Sequence, residues 1–117
     1  MESDLPIRDA AVLVPLLSRA GGGTRLVIVR RADGGAHGGQ LAFPGGVIEP
    51  GDASPFSAAC REAEEEIGLR PADVRLLQAL PAVETRVTGF RILPFLARVA
   101  APGAWTLQTG EIAEVIE

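Results

Sequence analysis

Gly45-Gly46-Val47-Ile48-Glu49-Pro50-Gly51-Asp52, followed after eight residues by Arg61-Glu62-Ala63-Glu64-Glu65-Glu66-Ile67-Gly68-Leu69, is the stretch on which the reading of this chain turns. Within the spacer, Ser54-Pro55 is a helix start: the hydroxyl can accept from free N–H groups, and proline sits where its missing N–H does no harm. Gly68 is a helix stop. The spacing predicts a helix over Pro55 to Ile67, with Phe56, Ala59, Cys60, Ala63 and Ile67 on one apolar stripe at about 100° per residue. Glu62, Glu65 and Glu66 fall on an arc of about 100° lying largely opposite that stripe. Three clustered carboxylates repel one another unless something positive sits over them. On the residues alone two readings stay open, a solvated acidic face or a site for a hard divalent cation such as Mg²⁺ or Mn²⁺.

Outward from this helix, the whole chain has 117 residues, with 11 Lys+Arg against 15 Asp+Glu, a net charge of −4 and 47% hydrophobic residues. That describes one globular domain with a single core and no room for a second. The acidic balance and scattered basic residues argue against nucleic acid as the main ligand, since backbone phosphates call for clustered Lys and Arg. Cys60 is the one cysteine and cannot form an internal disulfide. The N-terminus lacks the basic and long apolar stretches of a secretory leader, so a reducing cytoplasm is the expected compartment. No apolar run approaches the ~18 residues of a membrane-spanning helix, which argues against membrane insertion.

Ala10 to Leu17 and Leu26 to Arg30 have strand composition and, with Gly21-Gly22-Gly23 between them, read as a hairpin. That glycine run lacks a following Lys-Ser or Lys-Thr and is read as a turn, not a phosphate loop. Ala32 to Gly46 reads as a loop broken by a short extended piece at Leu41 to Phe43. Val74 to Leu80 and Ile92 to Val99 read as strands, with Pro94 pointing to an edge position or a bulge. Glu111 to Glu117 suits either a strand start or a helical turn.

The quoted stretch closely resembles the Nudix box, Gly-x5-Glu-x7-Arg-Glu-U-x-Glu-Glu-x-Gly-U with U apolar. Asp52 stands where the general pattern has Glu, and the spacer before Arg61 has one extra residue. Both features are similar to the coenzyme A pyrophosphatase branch of the family. His37-Gly38-Gly39-Gln40-Leu41-Ala42-Phe43-Pro44-Gly45-Gly46 is similar to that branch's His-x-Gly-Gln-Val-x-Phe-Pro-Gly-Gly signature, and Leu80-Pro81 through Thr88-Gly89-Phe90 to Pro94 also looks like it. The resemblance covers roughly Ala11 to Ile116.

The resemblance implies an α/β fold: a Nudix α/β/α sandwich around a mixed β-sheet, formed by one domain over residues 1–117. The box, at about 46–69, would form loop, helix, loop. It also implies a chain short at its C-terminus by a strand and a helix, and loss of that helix would expose one sheet face, impairing folding or promoting a homodimer. The implied activity is metal-dependent hydrolysis of the diphosphate of coenzyme A or an acyl-coenzyme A to 3′,5′-ADP and 4′-phosphopantetheine. Gly34-Gly35 replace the branch's Leu-Arg before His37. That keeps open hydrolysis of another nucleoside diphosphate derivative, such as ADP-ribose, a dinucleotide or a damaged nucleotide. A non-catalytic module that senses a nucleotide is a further alternative.

Under this resemblance Glu62, Glu65 and Glu66 ligate Mg²⁺ or Mn²⁺, and Glu65 orients or deprotonates the attacking water. Arg61 pairs with Glu65 or a neighbouring carboxylate. Gly45 and Gly46 let backbone approach metal or phosphate because no Cβ intervenes, and His37, Gln40 and Arg30 are the substrate-side candidates, with Arg31 beside them. A loop hydrogen bond is the other reading of His37, and a solvated strand end that of the two arginines. Glu111 aligns with a family acidic position as an auxiliary ligand or base. Glu64 is read as plain surface, Cys60 as a buried small hydrophobe, Phe43 as core and Trp105 as an exposed loop or edge.

Overall fold

The computed structural model describes residues 7–18, 21–33, 38–85 and 89–117. In chain order the elements are β1 (Arg8–Ser18), β2 (Thr24–Leu26), β3 (Ile28–Arg31), β4 (Leu41–Ala42), β5 (Gly45–Val47), α1 (Pro55–Ile67), a 3-10 turn (Pro71–Asp73), β6 (Val74–Ala79), β7 (Val83–Thr85), β8 (Phe90–Val99) and β9 (Ile112–Ile116). β1 and β8 run parallel through an unbroken register from Arg8↔Phe90 to Leu17↔Val99 and form the middle of a mixed, six-stranded sheet. On the far side of β1 lie β5 and β2, both antiparallel to it. On the far side of β8 lie β7 and β6.

Pro94 is therefore central, not at an edge or bulge as the sequence suggests. It is tolerated because neither flanking ladder needs its N–H: β7 pairs with β8 up to Ile92, β6 pairs from Phe95 onward, and the chain between them steps away at residues 80–82. The Pro94 carbonyl still accepts from the Leu80 N–H at 2.9 Å. Pro15 occupies the matching break on β1, between the β5 ladder ending at Val12 and the β2 ladder starting at Leu16. Both prolines thus sit where a missing donor leaves no acceptor unpaired.

The predicted hairpin forms only in part. β1 turns through Gly21 and Gly23, both at positive φ, into β2. At the fully buried Val27 the chain then crosses out of the sheet. Ile28–Arg31 joins a second, three-stranded sheet of order β4-β3-β9. Glu111 to Glu117, open between strand and helix on sequence grounds, supplies β9.

α1 has the predicted bounds, and its ends are held as the sequence indicates. Ser54 Oγ accepts from the Ser57 N–H at 3.0 Å, and Gly68, at φ 75°, donates its N–H to Glu64 O at 3.0 Å. Ala58, Ala59, Ala63 and Ile67 are fully buried and share one core with Ala11, Leu13, Leu17 and Ala97 on one face of the six-stranded sheet. Phe56 meets Phe95 edge to face, with ring centroids 5.6 Å apart. The helix C-terminus is tied to the segment before β9, since Thr106 N donates to Ile67 O at 3.1 Å and Gln108 N to Glu66 O at 2.9 Å. The fold is thus the expected mixed sheet with one main helix. Its opposite face carries no helix among the described residues.

Gly68 combines a left-handed backbone with a tight neighbour, for an added Cβ would lie 3.0 Å from Thr106 Cβ. Gly68→Ala is expected to lower the unfolding free energy by about 1–2 kcal/mol, the cost of holding an L-residue left-handed. Urea unfolding of the two proteins measures it.

Candidate active site

One guanidinium gathers the front of the site. Asp52 receives Arg61 in a two-pronged contact, Nε to Oδ1 at 2.8 Å and Nη2 to Oδ2 at 3.1 Å. Nη1 donates to Glu62 Oε1 at 3.1 Å and to both oxygens of Glu65 at 3.3 Å, and Nη2 also reaches the Val47 carbonyl at 3.3 Å. The planar fork of arginine suits this use, since its five donors leave in fixed directions. Asp52 is fixed in turn by the Glu49 N–H at 2.8 Å. The loop before α1 and the middle of α1 are therefore cross-linked through one side chain.

The back of the site is built on two glycines with ordinary backbone angles. A Cβ on Gly45 would overlap the Ala11 carbonyl and come within 2.6 Å of Val12 Cα, so β5 can lie against β1 only without a side chain there. A Cβ on Gly46 would overlap Oε2 of Glu62. The sequence suggests that the missing Cβ atoms let backbone approach metal or phosphate; what they make room for within the chain is β1 and a carboxylate. The Gly45 N–H donates to Glu66 Oε1 at 3.2 Å. Glu66, placed by the sequence on the polar arc, is only 3% exposed.

Burial sets the electrostatics. It is the main reason Glu62 is pushed up to about 7, aided by its hydrogen bond to Glu65 and by the charges of Glu65 and Glu111, with Arg61 opposing. Burial likewise pushes Glu66 up to about 7, against the Gly45 N–H and the Arg31 charge, with Glu62 and Glu111 adding to the rise. Asp52 is held below its ordinary value, first by the Arg61 hydrogen bonds and then by the Glu49 N–H. Glu65 lies at the exposed rim, with half of its side chain open to solvent. All these groups offer hard oxygens, and Glu62 and Glu66 sit in partly desolvated positions that disfavour their charged forms. Among the described residues these carboxylates do not converge on one point as they stand, because Arg61 draws Glu62 and Glu65 toward itself while Glu66 turns in to Gly45.

Other candidates are scattered. Arg30 is paired with Glu114 on β9 at 2.6 Å and also donates to Gly39 O at 3.3 Å, while its neighbour Arg31 faces Glu66 electrostatically. Gln40 is exposed just before β4, and its carbonyl accepts from the Arg31 N–H at 2.9 Å. His37 lies outside the described residues. Glu111, exposed at the foot of β9, is brought to the acidic group, as its effect on Glu62 and Glu66 shows. Cys60 is buried, and burial pushes its thiol up, as fits a small hydrophobe. Trp105 is half-buried, with Nε1 donating to Glu117 at 3.2 Å. The sequence reading noted Asp52 only as a variant position. Its acidic side chain nine residues before an arginine was the available signal for the anchor it forms.

The family model of the NUDIX domain matches residues 7–116. The chain belongs to the Nudix family. It is 40% identical to the Nudix hydrolase NudL of Citrobacter koseri over 110 residues, covering 94% of this chain and 56% of that protein. It is also 40% identical to NudL of Cronobacter sakazakii over 115 residues, covering 98% and 59%. The chain thus spans little more than half the length of these curated relatives. Among solved structures, the Nudix hydrolase RenU of M. smegmatis superposes with a TM-score of 0.77 at 24% identity over 96% of this chain and 70% of that one. A C. elegans Ap4A hydrolase superposes with a TM-score of 0.73 at 22% identity over 94% and 78%. Both share the fold of this chain.

Two predictions follow from the geometry of this Nudix box. Gly46→Ala is expected to leave the fold intact, because the Glu62 carboxylate at the end of a flexible chain can move aside. Gly45→Ala meets backbone and is expected to destabilise the domain by about 1–3 kcal/mol. Thermal unfolding separates the two. In metal-free solution the folded chain holds protons on Glu62 and Glu66 that the unfolded chain releases between its ordinary value of 4.5 and about 7. Stability is therefore expected to fall as pH rises through that window. Asp52 acts oppositely, its contribution being lost as pH drops below its ordinary 3.8. Melting temperatures of the chelated protein at mildly acidic and mildly alkaline pH test the sign.

Proposed function

We propose that this Nudix domain is a metal-dependent pyrophosphohydrolase acting on coenzyme A or an acyl-coenzyme A. The observation that carries the hydrolase reading is the Arg61 junction, which holds Asp52, Glu62 and Glu65 together beside the Gly45–Glu66 contact. A solvated acidic face has no use for a buried carboxylate or for a glycine fitted against a second one. The coenzyme A assignment rests on the 37–46 signature and on Asp52 with its lengthened spacer. In the structure Asp52 still meets Arg61 squarely despite that extra residue.

Glu62, Glu65 and Glu66 would hold Mg²⁺ or Mn²⁺. When bound, such an ion neutralises the diphosphate and lowers the pKa of water by several units. Glu65, at the open rim, accepts the proton of the attacking water. The water oxygen bonds to one phosphorus, the bridging P–O bond breaks, and the departing phosphate keeps the bridging oxygen. With coenzyme A the products are 3′,5′-ADP and 4′-phosphopantetheine. Arg61 acts through the carboxylates, keeping Glu62 and Glu65 on one side of the helix beside the Gly45–Glu66 contact. Asp52 holds Arg61, and Glu111 adds a further carboxylate at the edge of the group.

Product analysis after incubation with coenzyme A and, separately, ADP-ribose, each with Mg²⁺ or Mn²⁺, tests the assignment. The expected outcome is metal-dependent release of 3′,5′-ADP from coenzyme A, reduced by about 10²-fold or more in Glu65→Gln. Cleavage of ADP-ribose alone would keep the hydrolase and reject the coenzyme A assignment. Saturable metal binding without turnover of either substrate would favour a sensing module.

A further inference from the structure

The two arginines that end β3 leave on opposite faces of the smaller sheet. Arg30 pairs in register with Glu114 on the outer face and is held there by its carboxylate. The register then skips Ala113, so that Arg31 pairs with Ile112, which is only 1% exposed. Residues opposite one another across a ladder share a face, as do residues two apart on a strand. Arg31 therefore lies on the face of Ile112 and the buried Val29, in the core that also holds Ala63 and Ile67 of α1. Backbone hydrogen bonds tie this strand end to the acidic helix: Gln108 N donates to Glu66 O at 2.9 Å, Glu111 N to Gln108 O at 2.9 Å, and Ala32 N to Glu111 O at 2.8 Å. Arg31 is half-buried, and among the described residues its guanidinium makes no hydrogen bond or ion pair. Its charge nevertheless reaches Glu66.

We propose that Arg31 makes the binding of the divalent metal and the binding of the substrate's phosphates depend on each other. In the empty site its positive charge stands beside the carboxylates and opposes an incoming dication. A half-buried guanidinium with its donors unused is suited to phosphate oxygens. An anion seated on it cancels the opposing charge, so the metal enters more readily, and by linkage the bound metal strengthens the hold on the anion by the same factor. The other cations of the region cannot take this part. Arg61 has its donors engaged with Asp52, Glu62, Glu65 and the Val47 carbonyl, and Arg30 is neutralised by Glu114 on the outer face. Of the two arginines that the sequence offers to a substrate, the fold thus withdraws the first and leaves the second. Arg31 has this role only if Glu62, Glu65 and Glu66 hold the metal, as proposed above.

Calorimetric titration of the 117-residue chain with Mn²⁺ in chloride buffer, without substrate, tests the proposal. Arg31→Gln is expected to tighten Mn²⁺ binding about three- to tenfold. Arg31→Lys, which keeps the charge, and Arg30→Gln, which removes the same charge one residue away, are each expected to stay within about twofold of the wild type. Sulfate in place of chloride at equal ionic strength supplies a dianion of phosphate shape. The ratio of Mn²⁺ affinity in sulfate to that in chloride is expected to be at least about twofold higher for the wild type than for Arg31→Gln. Circular dichroism checks the fold, and if Arg31→Gln unfolds, Arg31→Met decides in its place. Equal Mn²⁺ affinity in the wild type and the uncharged variant, or a sulfate effect of the same size in both, would overturn the proposal while leaving the metal site standing. Absence of saturable Mn²⁺ binding by the wild type would overturn it together with the metal-dependent function.

Discussion

The front of the candidate site depends on the Arg61 guanidinium being shared. It has five donors, and the structure spends them on the Asp52 carboxylate, on Glu62 and Glu65, and on the Val47 carbonyl. Without it, three glutamates within two turns of one helix would push apart. With it, the repulsion becomes a constraint, since Glu62 and Glu65 are drawn to the same nitrogen. The same contacts fasten the loop that precedes α1, so the positions of Gly45 and Gly46 and those of the carboxylates are set together.

Glu66 belongs to a different economy. It turns from Arg61 toward the interior, where the Gly45 N–H is the hydrogen bond it receives. A buried carboxylate with so little compensation is costly as an anion, and its elevated pKa records that cost. The two ends of the acidic group therefore differ in character. Glu65 at the rim is open to solvent, Glu66 at the base is withdrawn from it, and Glu62 between them contacts both the arginine and the glycine loop.

Local signals in the sequence were enough for α1, because a capping serine, a terminal glycine and a 3.6-residue stripe act within a few residues of one another. They also made the acidic cluster and its arginine visible. What they could not supply was set by partners far away in the chain. Pro94 is a poor residue for a central strand unless the adjoining ladder breaks beside it, and that break belongs to residues 80–82. Arg30 and Arg31 look alike in sequence, yet Glu114 on β9 takes the first and leaves the second toward Glu66. Glu66 was expected on an open arc, but the chain arriving at Gly45 covers it. In each case the deciding contact joins segments with no sequence proximity to advertise it.

The parallel pairing of β1 with β8 has a consequence for the birth of the molecule. Asp9 and Arg91, partners in this ladder, are separated by 82 positions. A ribosome must therefore synthesise most of the domain before its first long strand can find the neighbour it is built to join. Until then an eleven-residue segment apolar on both sides waits with only short antiparallel companions. Such long-range pairing slows folding and prolongs exposure to misassembly, so for this domain the vulnerable interval falls during translation.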